Sequence, residues 1–149
     1  MGVVAAIAPQ QSSLIGLVSI VAPIIAGGNT CIVLASEHKP LCAVTFAEVL
    51  NSSDLPGGVV NILTGKTKEL LTYFADHMDV NATCYCGNDA PAIQLIKEKA
   101  SLNVKRVIVY ADFKWENEST QSAYFINDFQ EVKTTWHPIE HIGGTKAGY

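Results

Sequence analysis

The side chains that could supply a nucleophile or a metal ligand are four cysteines and four histidines. Cys84 and Cys86 lie at the end of an apolar run, where reduced thiols pack well, whereas a reactive thiolate needs a basic or helix-N-terminal setting. We therefore interpret them as buried structural thiols rather than a redox pair, and we expect them on opposite faces of a strand. The histidines have no spacing that would place two on one helix face, so no metal site is predicted.

The composition limits the partners of this chain. With 149 residues, 48% hydrophobic and 16% charged, the chain can build a single folded core. The net charge of -4 provides no basis for gripping nucleic acid. Residues 1–36 carry no charge, but they lack the basic start of a signal peptide, and the apolar segment from Leu14 to Ala26 is shorter than the roughly 20 residues that span a bilayer. We predict a cytoplasmic protein without a membrane partner.

Continuous apolar runs alternate with segments of helical periodicity along most of the chain. Runs that do not alternate with polar residues are typical of strands buried on both faces, and the helices between them act as crossovers. The pattern predicts the α/β class, with a Rossmann-like parallel sheet and helices on both faces. Ser12 or Ser13 is expected to cap the first helix. The predicted strands are Val3 to Ala8, Thr30 to Leu34, Val59 to Leu63, Val80 to Tyr85 and Arg106 to Tyr110.

The chain changes character after the fifth predicted strand. Residues 116–123 are small and polar and are predicted to form a linker that ends the organised unit of residues 1–115. Residues 124–138 are rich in aromatic and β-branched side chains and predict an appended C-terminal strand, followed by a tail over residues 139–149.

Five stretches stand out before Lys114, namely Gly2 to Pro9, Ala26 to Thr30, Ser36-Glu37, Leu55 to Gly65 and Val104 to Val107. Together with residues 130–136, they resemble the aldehyde dehydrogenase superfamily. Those before Lys114 resemble its coenzyme-binding domain, and residues 130–136 resemble its carboxyl-terminal oligomerisation strand. In the family, a catalytic domain separates these two parts, whereas a short polar stretch separates them here. The arrangement is similar to the non-catalytic second module of family-16 type members.

The resemblance implies that no catalytic residue is present. Aldehyde oxidation in the family needs a cysteine thiolate, and no cysteine follows Cys86. The general-base glutamate is expected at Tyr110, whose phenol, with an ordinary pKa near 10, cannot accept a proton from water at neutral pH. In the family an asparagine stabilises the oxyanion, and Gln10-Gln11 stands at that position here. We favour the interpretation that the glutamine amide forms hydrogen bonds with local backbone groups instead.

The resemblance also implies an eroded site for the coenzyme NAD. Glu37 matches the family's ribose-binding glutamate, but the ribose-binding lysine falls at Leu34, which has no donor. Asn88 occupies the position of the family's serine that contacts the pyrophosphate. Ala92 occupies the position of the next glycine, and its methyl group leaves less room for a phosphate to approach the backbone. Alternatively, Glu37 is a solvated charge and Asn88 caps the fourth helix through an Asx turn. The candidate coenzyme-binding residues are Ile7, Ala8, Pro9, Ser36, Glu37, Gly65, Gly87 and Asn88.

We therefore predict a non-catalytic aldehyde dehydrogenase-like module that acts in assembly or protein interaction and needs no cofactor. The alternative is a regulatory module that retains weak affinity for NAD. The expected partner is a second copy of the chain or a related aldehyde dehydrogenase module, because residues 129–136 have the chemistry of an edge strand that needs covering.

Overall fold

Five parallel strands form one sheet in the computed structural model, which describes residues 2–136 except the side chain of Ser119. The strands are β1 (Val3–Ile7), β2 (Thr30–Leu34), β3 (Val60–Leu63), β4 (Ala82–Tyr85) and β5 (Arg106–Val109). The helices are α1 (Ile15–Ala26), α2 (Leu41–Asn51), α3 (Thr67–Asp76), α4 (Ala90–Ser101) and α5 (Tyr124–Asp128), with a short 3₁₀ turn at Glu118–Thr120.

The spatial order of the strands is β3-β2-β1-β4-β5, so β1 lies at the centre and pairs with both β2 and β4. Ala5 of β1 is in register with Ile32 on one side and with Thr83 on the other. The direction in which successive strands are added reverses at β1, and in parallel sheets such a reversal opens a crevice at the carboxyl ends of the strands.

Two apolar layers cover the two faces of the sheet and confirm the predicted class. One layer includes Ile20 and Ile24 of α1, and the other includes Leu71 and Phe74 of α3 together with Ile96 of α4. Within residues 2–136, no helix combines the length and the apolar character needed to cross a membrane.

The first helix begins without the serine cap that the sequence predicts. Its N-cap residue is Leu14, which makes no capping hydrogen bond through its side chain. Ser12 instead donates a hydrogen bond of 2.9 Å from Oγ to Oε1 of Glu116. This hydrogen bond connects the loop before α1 to the segment after β5.

The predicted C-terminal strand is wrong over residues 124–128, which form α5. Phe125 and Phe129 are four residues apart and therefore fall on one face of a helix, where both are buried against the layer that contains α1. Residues 129–136 have no strand structure, and residues 131–136 are exposed. Residues 137 and 138 of the predicted strand, and the tail, lie outside the described residues.

Asn29 holds the C-terminal segment against the start of the chain. This side chain is buried, and its Nδ2 donates to the carbonyl oxygens of Phe129 at 2.8 Å and of Ile24 at 3.2 Å. Its Oδ1 accepts a hydrogen bond of 2.9 Å from the backbone N–H of Gly2. One buried amide thus connects the end of α1, the beginning of β1 and the segment that follows α5.

Candidate functional site

A cleft of about 900 Å³ opens at the carboxyl edge of the sheet, where the order of the strands reverses. The loops after β1, β2, β4 and β5 reach it, together with the first turns of α3 and α4. Its apolar wall is formed by residues of the two helices and the adjoining strand ends, among them Ile7, Leu71, Tyr85, Ala92 and Leu95.

The loops after β1 and β2 are joined by hydrogen bonds through Gln10. Its Oε1 accepts a hydrogen bond of 2.9 Å from the backbone N–H of Glu37, and its carbonyl oxygen accepts one of 2.9 Å from Oγ of Ser36. The Gln10 side chain therefore binds a backbone N–H, but the expectation that this backbone would be local is wrong, because Glu37 lies 27 residues away along the chain.

Glu37 stands at the rim of the cleft and contacts the first turn of α3. Its Oε1 accepts a short hydrogen bond from the backbone N–H of Thr67. The side chain and the backbone N–H of Thr67 lower the pKa of the Glu37 carboxyl below its ordinary value. Although the side chain is exposed, Glu37 is thus a positioned carboxylate rather than a freely solvated charge.

Asn88 lies where the cleft meets the start of α4. Its Nδ2 donates a hydrogen bond of 2.6 Å to Oδ1 of Asp112, a residue that lines the cleft just after β5. The N-cap residue of α4 is Asp89, and it makes no capping hydrogen bond through its side chain. The predicted Asx-turn cap at Asn88 is therefore not formed, and the Nδ2 of Asn88 binds a second loop.

Tyr110 follows β5 and is held by both its ring and its hydroxyl. The hydroxyl donates a hydrogen bond of 2.6 Å to Oδ2 of Asp128 at the end of α5. The ring packs edge-on against Phe125 and Trp115, with centroid separations of 5.2 and 5.7 Å. Burial and the hydrogen bond to Asp128 raise the pKa of Tyr110 far above its ordinary value.

Cys84 and Cys86 are both buried, and they pack in the same apolar layer. The prediction of opposite faces is wrong because residues two apart in a strand share a face. Burial, together with the neighbouring Cys84, raises the pKa of the Cys86 thiol. The prediction of buried thiols is confirmed, and all four cysteines are free.

The cleft gathers most of the residues that the sequence proposes for coenzyme binding, although their role as ligands stays a prediction. Ser36 and Gly65 do not line it. Two carboxylates that do, Asp89 and Asp112, were missed by sequence reasoning, although each follows a predicted strand and so has to emerge at this edge. The predicted residues that line the cleft are Ile7, Ala8, Pro9, Glu37, Gly87 and Asn88. Among the described residues, no three His, Cys, Asp or Glu side chains are grouped to hold a metal ion.

The sheet order and the position of the cleft define a Rossmann-like domain of the nucleotide-binding type. Comparison with known proteins identifies the family: the family model for the aldehyde dehydrogenase family matches residues 1–111. The chain therefore belongs to the aldehyde dehydrogenase family.

Several relatives illustrate this similarity. The chain is 34% identical over 117 residues to the NADP/NAD-dependent aldehyde dehydrogenase PuuC of Escherichia coli, covering 78% of this chain and 24% of the relative. It is 33% identical over 128 residues to aldehyde dehydrogenase 1A1 of Oryctolagus cuniculus, covering 78% of this chain and 26% of the relative. The chain thus spans about a quarter of the length of these relatives.

A solved structure shows the same fold. The aldehyde dehydrogenase C mutant from Pseudomonas syringae, in a complex with NAD+ and octanal, superposes with a TM-score of 0.71 at 34% identity. The match covers 76% of this chain and 23% of that structure. Most of the residues that line the cleft lie within residues 1–111, the part of the chain that the family model matches.

Proposed function

We propose that this chain is a non-catalytic aldehyde dehydrogenase-like module that acts in assembly. The observation that carries the first half of this proposal is the state of Tyr110, which stands at the position where the family resemblance expects a general base. A general base must present a free lone pair and a pKa near the working pH. The Tyr110 hydroxyl is instead a donor to Asp128, in a buried aromatic cluster that keeps its proton in place.

The buried cysteines support the same proposal. A catalytic thiol has to reach the aldehyde as a thiolate, and burial opposes the formation of a thiolate. Cys86 lines the cleft but is buried with a raised pKa, and Cys84 is fully buried and does not line the cleft. Neither thiol has the exposed, electropositive setting of a reactive cysteine.

The test of the catalytic half is NADH or NADPH production from a panel of aldehydes, measured with the purified chain. We expect no reduced nucleotide above the buffer control. Steady production that is abolished by Cys86→Ser, and retained by Cys42→Ser on the distant helix α2, would overturn the proposal. The pair of substitutions separates catalysis by a thiol in the cleft from a general effect of removing a thiol.

The assembly half of the proposal rests on the exposed segment formed by residues 131–136. Val132 is 89% exposed and Trp136 is 83% exposed, although both are large apolar side chains. They alternate with polar residues, so an extended conformation would place them on one face together with Thr134. We propose that this face pairs with a second copy of the chain, in the reducing environment of the cytoplasm.

A regulatory module that binds NAD is the second candidate function. It is favoured by the cleft at the reversal of strand order and by Glu37, whose carboxylate could accept hydrogen bonds from ribose hydroxyls. This candidate also requires the cleft to bind the phosphate groups of NAD. The residues at the start of α4 would have to form that phosphate site.

A further inference from the structure

The cleft carries more carboxylates than cationic side chains, and two of the carboxylates, Asp89 and Asp112, are near the start of α4. Of the described residues that line the cleft, Glu37, Asp89 and Asp112 carry carboxylates, whereas Lys68 and His38 are the ones that can carry positive charge. Asp89 is the N-cap residue of α4, and burial, followed by the charge of Asp89, raises the pKa of the neighbouring Tyr85. A pyrophosphate placed at the start of this helix would therefore meet a carboxylate of like charge.

The start of α4 also has fewer free N–H donors than a helix N-terminus without proline. Helix N-termini bind phosphate through the free N–H groups of their first turn. In α4 the second residue is Pro91, which has no N–H. In the adjoining turn, one of the two N–H donors of the Asn88 amide is taken by Asp112.

The glycine of this turn does not leave open space for a phosphate. A glycine serves phosphate binding because the absence of a Cβ lets the ligand approach the backbone. The Tyr85 hydroxyl lies 3.0 Å from the position that a Cβ on Gly87 would take. The space beside the Gly87 backbone is therefore filled by a side chain of this protein.

We propose that the cleft has lost the phosphate-binding part of a dinucleotide site and accepts an uncharged, donor-rich ligand of the nucleoside class. The carboxylates of Glu37, Asp89 and Asp112 accept hydrogen bonds from hydroxyl and amino groups, and the wall that contains Leu71 and Leu95 accepts a flat ring. This inference goes beyond the proposed function, does not depend on assembly, and excludes the second candidate.

The test is calorimetric titration of the full chain with adenosine, ADP and NAD at one ionic strength. Adenosine is the probe because it presents a ring and hydroxyls without phosphate. We expect adenosine to bind about tenfold or more tightly than ADP or NAD. Asp112→Asn and Asp89→Asn are expected to improve ADP binding and narrow this ratio, because each removes a repulsive charge. The matched control Asp54→Asn, an exposed carboxylate outside the cleft, is expected to leave the ratio unchanged.

Two outcomes would overturn the inference. One is binding of ADP or NAD with an affinity equal to or greater than that of adenosine. The other is the absence of a heat signal with about 5 mM adenosine, an affinity too weak for a built site. Neither outcome alters the mass of the chain in solution, so failure here is distinguishable from failure of the assembly proposal.

Discussion

The hydroxyl of Tyr110 and the carboxylate of Asp128 are joined by a hydrogen bond of 2.6 Å that connects the end of β5 to the end of α5. This bond lies beside the rings of Phe125 and Trp115, so the residue at the expected general-base position is part of the contact that fastens the C-terminal segment. Tyr110 therefore has two roles: it lines the cleft, and it holds the C-terminal segment in place.

Removal of this hydroxyl should reduce stability without disturbing the aromatic packing. For Tyr110→Phe we expect a loss of about 1.5 to 3 kcal/mol in the free energy of unfolding, because a hydrogen bond to a carboxylate is lost. Denaturant unfolding measures the change. A double-mutant cycle with Asp128→Ala, which removes the acceptor, should yield a coupling energy of similar size, and a coupling near zero would show that the bond contributes nothing.

The burial of Phe129 predicts that the C-terminal segment is part of the core. Phe129→Ala should cost about 3 to 5 kcal/mol of unfolding free energy, because it leaves a cavity next to α1. Tyr124→Ala in the same helix is the matched control, since its side chain is 76% exposed and its loss should change stability by less than about 0.5 kcal/mol. Equal effects of the two substitutions would contradict the docking of α5.

The buried thiol of Cys31 predicts a loss of stability in alkaline solution. Burial raises its pKa from 9.0 to about 12. The folded state holds this proton more tightly than the unfolded state, so the stabilisation is complete below pH 9 and is lost as the pH rises toward 12. Between these values Cys31→Ala should make the fall in unfolding free energy shallower by about 1.4 kcal/mol per pH unit. An unchanged dependence of the unfolding free energy on pH would show that the pKa of Cys31 is not raised in the folded chain.

The strands and helices up to β5 could be predicted from the sequence because each is marked by a local pattern. The run from Thr30 to Leu34 is continuous and apolar, and β2 has the same bounds. The segment after β5 was predicted wrongly because aromatic residues such as Phe125 and Phe129 are common in strands, and the same two residues also lie on one face of a short helix. The helix forms because it buries both rings against the layer that contains α1, which lies about 100 residues earlier in the chain.

The polar contacts of the cleft were predictable only in part. Glu37 and Asn88 were placed at the correct edge because each follows a buried strand. Their partners, Thr67 and Asp112, lie 30 and 24 residues away along the chain and are set by the order of the strands. A sequence pattern does not contain such distances, so the occupation of the Asn88 amide by a carboxylate became visible only in the folded chain.

The most direct test of the assembly account is the mass of the intact chain in solution, measured by light scattering at micromolar concentrations. The account predicts about twice the chain mass of 16.0 kDa. The variant Val132→Asp with Trp136→Asp should have the mass of one chain and an unchanged melting temperature, because both side chains are exposed in the single chain. Leu41→Asp, at an equally exposed position on α2, should stay dimeric. A monomeric intact chain, or a dimer broken by Leu41→Asp and kept by the double variant, would contradict the account.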